Sequence, residues 1–352
     1  MTRPWSGAAL VRLREGLERL TADGTVPGGV IGYGTVGAAP GFLAAGVVAP
    51  ECGGARPGSD TQYDLASLTK VLAVWPLIGR ALAAGELTLD TRLRDLLPEV
   101  PAGAPGGRVT VGAILTHTSG LSPQTRLDRY RGRAEPLVRL ICEEPLVARS
   151  GDEDGGGHRY VNRGFILLGL ALAQLHGRRL DDLAAGLWAD LRMTRTQYGP
   201  VARSAAVAPT ERRLAGAPWL WGIPHDDNAA LLGGVAGHAG VFGTAADLTT
   251  FAARILDRGG ELEAWLEISR RPRVVIEPGY RRGLAWALTD DGVCLHHGFT
   301  GTSLYLAPAT GRYLALCTNA VYHHRDNRAA VAPLWALALA EIADHRVDGG
   351  AP

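Results

Sequence analysis

Lysine is almost absent from this chain: of 36 Lys plus Arg residues, Lys70 alone is lysine. Arginine keeps its proton at any practical pH, whereas a desolvated lysine can release one near neutrality. A sequence that fills its other basic positions with arginine either retains this ammonium where a proton must move or carries it as a leftover surface residue. Ser67, three residues earlier in "DLASLTK" (64–70), favours the first reading, because positions i and i+3 share one helix face. With nine serines in 352 residues, such a pairing seldom arises by accident. Net charge is missing too. The 36 basic residues meet 35 acidic ones, leaving +1 and no electrostatic handle for nucleic acid or anionic lipid. No uninterrupted apolar run reaches the ~18 residues of a membrane span. The expected partner is a small molecule, with neither nucleic acid nor membrane.

The four cysteines, Cys52, Cys142, Cys294 and Cys317, are far apart and form no CxxC or disulfide-dense pattern. The opening "MTRPWSGAALVRLREGLERLTADG" has no continuous apolar core of a secretory signal. Leu10, Leu13, Leu17 and Leu20 instead recur at helical spacing among Arg and Glu, the pattern of an amphipathic surface helix. Together with the initial Met, these features give a cytoplasmic expectation.

At 46% hydrophobic and 20% charged, the composition is that of a globular chain with a real core. "GGVIGYGTV" and "FLAAGVV", joined by "GAAPG", read as a β-hairpin. Residues 67–84 are apolar almost all round and stop at Gly85, predicting a buried helix kinked at Pro76. "PEVPAGAPGGR" (98–108) is a loop, and 109 to about 270 read as mostly helical, "FILLGLALAQL" and "AADLTTFAARIL" most clearly. Strand patterns return in "RGLAWALTDDGVCLHHG", turning at Asp291-Gly292, and in "TSLYLAPATGRYLALCTNAV", turning at Ala309-Thr310-Gly311. A final helix, "AVAPLWALALAEIA", carries its proline near the start, where it is tolerated. Strands at both ends imply one sheet assembled from residues 1–60 and 275–352, with a mainly helical region, 61–274, inserted between, all in one catalytic domain. The cleft between sheet and helical region is the natural site.

"HRYVNRGFILLGLAL" (158–172) sets Tyr160 and Asn162 just before an apolar helix, and "LHHGFTGTSLYLAP" (295–308) sets two histidines and Gly298 at a strand edge. With Ser-x-x-Lys, these segments resemble the three motifs of the serine β-lactamase and penicillin-binding-protein superfamily, in its class C-like branch. The second motif there is Tyr-x-Asn, and the third is often His-x-Gly. "ILTHTSGL", "APTE", "HDDNAALLGGVAGHAGVFGTAADL" and "CTNAVYHHRDN" are similar to the same branch, in order, so the resemblance runs from about residue 25 to 340. It implies an α/β, β-lactamase-like fold: an antiparallel sheet built from both termini, flanked by helices, with the helical insertion. It implies no cofactor and no metal.

The residue types agree with that chemistry. A serine hydroxyl needs a base to take its proton. Ser67 would attack an acyl carbonyl while Lys70 and Tyr160 share the proton, Tyr160 working best as phenolate beside cationic Lys70. Asn162, donor and acceptor at once, would hold the Lys70 head and orient a substrate amide; alternatively it caps the following helix. The backbone N–H groups of Ser67 and Phe299 would form the oxyanion hole. His296 and Gly298 would border the substrate, with His297 standing where the family usually has Thr. Alternation along a strand sends the two histidine rings to opposite faces, so only one is expected to line the cleft, His296 being the choice. The histidine doublets, His225 and His238 lack the H-E-x-x-H or C-x-x-C forms of metal sites, and His238 in "GGVAGHAG" reads as structural or cleft-lining. One departure is the approach to Tyr160, "RSGDEDGGGHRYVN", acidic and Gly-rich where the family has Pro-Gly. This loop is expected to be mobile and, with "APWLWGIPHDDN" (217–228), to shape the acceptor side. Trp219 and Trp221 would supply apolar area and Asp226 or Asp227 would pair with an ammonium; a loop packed by its own tryptophans is the plain alternative. These features imply an acyl-Ser67 enzyme with a small-molecule acyl donor and water, an amine or an alcohol as acceptor. An esterase or ester-to-amide transacylase leads. A D-alanyl-D-alanine carboxypeptidase or class C-like β-lactamase is the alternative, and a non-turnover acylated binder or sensor is the reading from another class.

Overall fold

The computed structural model describes residues 4–147, 157–325 and 327–343. Its main sheet has eight strands. The first hairpin pairs β1 (Gly28–Thr35) with β2 (Gly41–Gly46). After a long excursion the chain returns as β6 (Val274–Glu277), β7 (Tyr280–Arg282), β8 (Ala287–Thr289), β9 (Cys294–His297), β10 (Ser303–Ala307) and β11 (Arg312–Thr318). The order is β2-β1-β11-β10-β9-β8-β7-β6, every pairing antiparallel, and β1 closes on β11 in the register Ile31 opposite Leu316. Both expected late hairpins turn where Gly292 and Gly311 supply positive φ. The excursion is mostly helical but also holds a small sheet, β3 (Gln62–Asp64), β4 (Gln197–Tyr198) and β5 (Val241–Thr244), in the order β3-β5-β4.

Period-two alternation divides the main sheet between two cores. Ile31, Tyr305, Leu314 and Leu316 face Leu13, Leu17 and Leu20 of the helix Gly7–Ala22 and Val331 and Leu334 of the helix Arg328–Ala343. Val30, Leu304, Leu306 and Ala315 point the other way, towards Leu248, Phe251 and Ala252 of the helix Ala245–Leu256 and the larger core beyond. The first helix is therefore amphipathic because one stripe lies on the sheet. Pro333 sits farther into the last helix than the sequence pattern suggested, since that helix begins at Arg328.

The stretch after Asp64 departs most from expectation. Instead of one continuous helix, it runs as a 3-10 turn over Ala66–Leu68, a π turn over Lys70–Val74 and an α-helix over Trp75–Ala83. The wide turn is closed by the Trp75 N–H donating back to the Lys70 carbonyl. Pro76, which has no N–H to give, then falls at the start of the α segment, where that lack is tolerated. Ala66–Ala83 is apolar enough on average to cross a bilayer, contrary to what uninterrupted apolar runs suggested. With 78% of it buried inside the fold, it is a core helix. Around it Trp75 donates from Nε1 to Ser269 Oγ (2.8 Å), and Trp265 donates to the Trp75 carbonyl (2.8 Å).

One close approach seats a turn on the neighbouring helix. A Cβ on Gly237 would lie 2.0 Å from the Phe165 carbonyl oxygen, so only glycine lets the 233–240 turn rest on the helix Asn162–His176. Gly237→Ala is expected to force the turn outward and to destabilise the fold by about 1–3 kcal/mol. A denaturant midpoint equal to wild type would show that the turn yields freely.

Candidate active site

Ser67 lies in the 3-10 turn, where side chains three apart eclipse one another. Lys70 Nζ accordingly donates to Ser67 Oγ at 3.0 Å. The residue before the serine, Ala66, is left-handed (φ 45°), a conformation that a non-glycine residue holds only when its surroundings demand it. The demand comes from Asp64. Its carboxylate accepts the N–H of Ala66 (2.8 Å) and of His225 (2.6 Å), and its carbonyl accepts the Thr300 hydroxyl (2.6 Å). Burial pushes the Asp64 carboxyl up from its ordinary range, against the pull of those N–H groups. Asp64 thus binds the serine turn to the two loops facing it.

Lys70 is wholly buried. Burial pulls its ammonium below the usual lysine range, while Tyr160 and, farther off, Asp226 oppose the shift. Its second hydrogen bond goes to the His238 carbonyl (3.0 Å), not to Asn162. The turn that Gly237 allows delivers this acceptor, and the His238 ring is anchored by Nε2 to Asp226 Oδ1 (2.8 Å). Asp226 also accepts the N–H groups of Asn228 and Ala229 (2.9 Å each). Burial alone would raise its pKa, but His238, these N–H groups and Lys70 hold it well below the ordinary carboxylate range. His238 was legible only as a structural or cleft-lining residue. Its carbonyl, 168 residues from Lys70, carries no side-chain signal.

Tyr160 stands over this pair, its ring centre 4.9 Å from Lys70 Nζ, and is 39% exposed to the cavity. Asn162 is the first residue of its helix and not the cap, which is Val161; Asn162 Oδ1 is buried without a partner. Both residues border a cavity of about 540 Å³ together with Ser67, His225, Asp226, Arg282, His296, Gly298 and Phe299. Gly298 is required by contact: a Cβ there would sit 2.6 Å from the Leu65 carbonyl oxygen, so glycine lets β9 lie against the serine turn. Phe299 stacks on His225 (5.3 Å) beneath Arg325.

The two histidines do face opposite ways, yet both border the cavity. The His296 ring faces Tyr160 (6.3 Å), whereas His297 stacks on Trp335 (4.4 Å) and contacts Ser303 Oγ (2.7 Å). The expectation of one lining ring fails because β8 pairs with β9 only as far as Leu295, so the cavity passes the strand edge beside both. The 217–228 stretch reaches the cavity only through His225 and Asp226. Trp219 instead stacks on Tyr322 (4.0 Å), Trp221 packs against the core, and Asp227 pairs with Arg213 and Arg325. Asp226, bonded through Oδ1 to His238, borders the cavity, whereas Asp227 lies outside it. The acidic, Gly-rich approach to Tyr160 falls largely on 148–156, outside the described residues. No group of three or more His, Cys, Asp or Glu suited to a metal ion occurs among the described residues.

Arg282 was not anticipated. It is buried in the cavity wall, donating to the Ala285 carbonyl (3.1 Å) and to His158 Nε2 (3.3 Å), and makes no ion pair with a carboxylate among the described residues. Burial lowers its pKa to about 10. In a chain so rich in arginine, nothing local distinguished it.

A buried lysine bonded to a serine hydroxyl, in a cavity beside an antiparallel sheet, places the molecule among serine hydrolases that use a Ser-Lys pair. The Beta-lactamase family profile matches residues 13–338. The chain belongs to that family, within the serine β-lactamase and penicillin-binding-protein superfamily. The N-acetylmuramyl-L-alanine amidase of Bacillus subtilis (strain 168) is 26% identical over 309 residues, 75% of this chain and 69% of its own. Among solved structures, a class C β-lactamase from Rhodobacter sphaeroides superposes with a TM-score of 0.75 at 19% identity, covering 97% of this chain and 99% of its own. A hydrolase with promiscuous acyltransferase activity superposes at 0.73 and 20% identity, covering 96% and 98%. At such identities the structural likeness speaks for the fold.

Two outcomes are expected from the pair. A fluorophosphonate should add one mass increment to the wild-type protein and none to Ser67→Ala, measured by intact mass; equal labelling would remove Ser67 from the role. Lys70→Arg should lower turnover by about 10²–10⁴-fold, because a guanidinium cannot take the Ser67 proton. The rate should fall with decreasing pH as Lys70 gains its proton, with a midpoint below the ordinary lysine range, and Lys70→Arg should lack that limb. More than a tenth of wild-type turnover in Lys70→Arg would contradict the assignment.

Proposed function

We propose that this chain is a serine esterase or acyltransferase working through an acyl-Ser67 intermediate on a small ester, with an amine or alcohol competing with water for the acyl group. The observation that carries the reading is the buried, singly occurring Lys70 hydrogen-bonded to Ser67 Oγ at the floor of a 540 Å³ cavity. That volume has room for an acyl donor and a second small molecule. In the first step the Ser67 hydroxyl proton moves to the Lys70–Tyr160 pair as Oγ bonds to the ester carbonyl carbon. The oxygen charge collects between the N–H groups of Ser67 and Phe299. The intermediate then collapses, breaking the bond to the leaving alkoxide, which takes the proton back. An acceptor repeats the steps in reverse order, giving its proton to the pair as it attacks the acyl carbon.

Arg282 favours a second reading. A buried guanidinium without a carboxylate partner among the described residues invites an anionic substrate, as the C-terminal carboxylate of a D-alanyl-D-alanine peptide or the carboxylate of a β-lactam would be. The similarity to an N-acetylmuramyl-L-alanine amidase supports an amide substrate as well.

One panel separates the readings: neutral nitrophenyl esters, a D-alanyl-D-alanine peptide and a cephalosporin, followed by activated ester with added amines. The lead reading expects the highest kcat/KM on esters and diversion of product to amide at millimolar amine. If no amine diverts product, the transferase half fails and an esterase remains. Higher kcat/KM on the peptide or cephalosporin, with Arg282→Gln raising KM there but not for neutral esters, would establish the second reading instead.

A further inference from the structure

Tyr160 is 39% exposed and belongs to no hydrophobic core among the described residues. A phenol that must meet the Lys70 ammonium and the Ser67 hydroxyl at bonding distance has to be held by something else. The backbone on either side of it leads to one residue. The Arg159 N–H donates to the His117 carbonyl (2.9 Å), and the Val161 N–H donates to His117 Nδ1 (3.1 Å). The His117 ring then lies against the Tyr160 ring, centres 4.4 Å apart and planes at 30°. Three contacts from a single side chain and its carbonyl bracket the tyrosine from residue 159 to 161.

We propose that His117 is the positioning residue for Tyr160: it fixes the main chain before and after the phenol and backs the ring. This rests on the reading that Tyr160 shares the Ser67 proton.

The surroundings of His117 are built for that task. It ends the turn after the helix Val111–Leu115 and is held at φ 57°, in the left-handed region, with its N–H donating to the Ile114 carbonyl (3.0 Å). The preceding residues are anchored by Ala285, whose N–H donates to the Leu115 carbonyl (2.8 Å). A left-handed histidine in a buried turn needs a reason for its strain, and the direction it gives the ring supplies one. Accepting from Val161 requires Nδ1 without a proton, so the ring is neutral with its hydrogen on Nε2. Burial, then Arg282, Lys70, His158 and His296, hold it in that form by pushing its pKa well below the usual histidine range. His158 meets the ring edge-on (5.9 Å) and Phe165 closes the far side (5.3 Å), so the ring has little room to turn away.

The test is a pair of mutant cycles read by the rate at which p-nitrophenyl acetate acylates Ser67. His117→Phe keeps a ring but removes the Nδ1 acceptor and disfavours the left-handed backbone. It is expected to slow acylation about 100-fold with KM within about threefold, the effect of displacing a reacting group by roughly 1 Å. His117→Asn keeps an acceptor oxygen and tolerates the left-handed turn. It loses only the ring face, and should return to within about tenfold of wild type. In a Tyr160→Phe background, either substitution should add less than about twofold, because residues that act as one unit are not additive. Should His117→Phe fail to fold, the cycle with His117→Asn gives the same reading. Wild-type acylation in both His117 variants, or losses that multiply in the Tyr160→Phe background, would overturn the clamp while leaving Tyr160 in its role. Tyr160→Phe acylating at the wild-type rate would overturn the role of Tyr160 and the clamp with it.

Discussion

Everything at this site depends on keeping one amine out of water. Lys70 has no exposed surface; it bonds to the Ser67 hydroxyl and the His238 carbonyl beside the Tyr160 phenol, with no carboxylate paired to it among the described residues. A buried ammonium without a paired carboxylate is held less firmly than one that has it, so its proton is easier to remove. Asp226 acts on Lys70 through space and also anchors the His238 residue whose carbonyl Lys70 touches. Arginine, which composition elsewhere prefers, would bring a charge that this pocket could not discharge.

The fold exists around that constraint. The 3-10 turn brings serine and lysine together, and the π turn after it leaves Pro76 at the start of the α segment, where its lack of an N–H is tolerated. Two glycines then allow backbones to meet where side chains would keep them apart. Gly298 admits β9 beside the serine turn, and Gly237 admits the loop that offers Lys70 its carbonyl. Asp64, buried and accepting from two different segments, is the knot between them. Cavity-facing groups, by contrast, come from loops and strand ends, where Arg282, His296, His297 and Phe299 line a space open on one side.

Local spacing determined what local geometry controls. The Ser-x-x-Lys pair, the three late and early hairpins with their glycine turns, and the amphipathic first helix all follow from contacts within a few residues, so the sequence shows them directly. The order of the motif segments along the chain carried the family and hence the antiparallel sheet built from both ends. Tertiary structure decided what lies across the chain. His238, 168 residues from Lys70, serves through a backbone oxygen that no side-chain pattern marks, and Asn162 makes no bond to the lysine that its motif position suggested. Strand alternation correctly separated the rings of His296 and His297, but both residues border the cavity where the β8–β9 ladder ends. The apolar surface of Trp219 suits either the cavity or the packing of its own loop, and it stacks on Tyr322, because buried area is satisfied by whichever face the fold brings within reach.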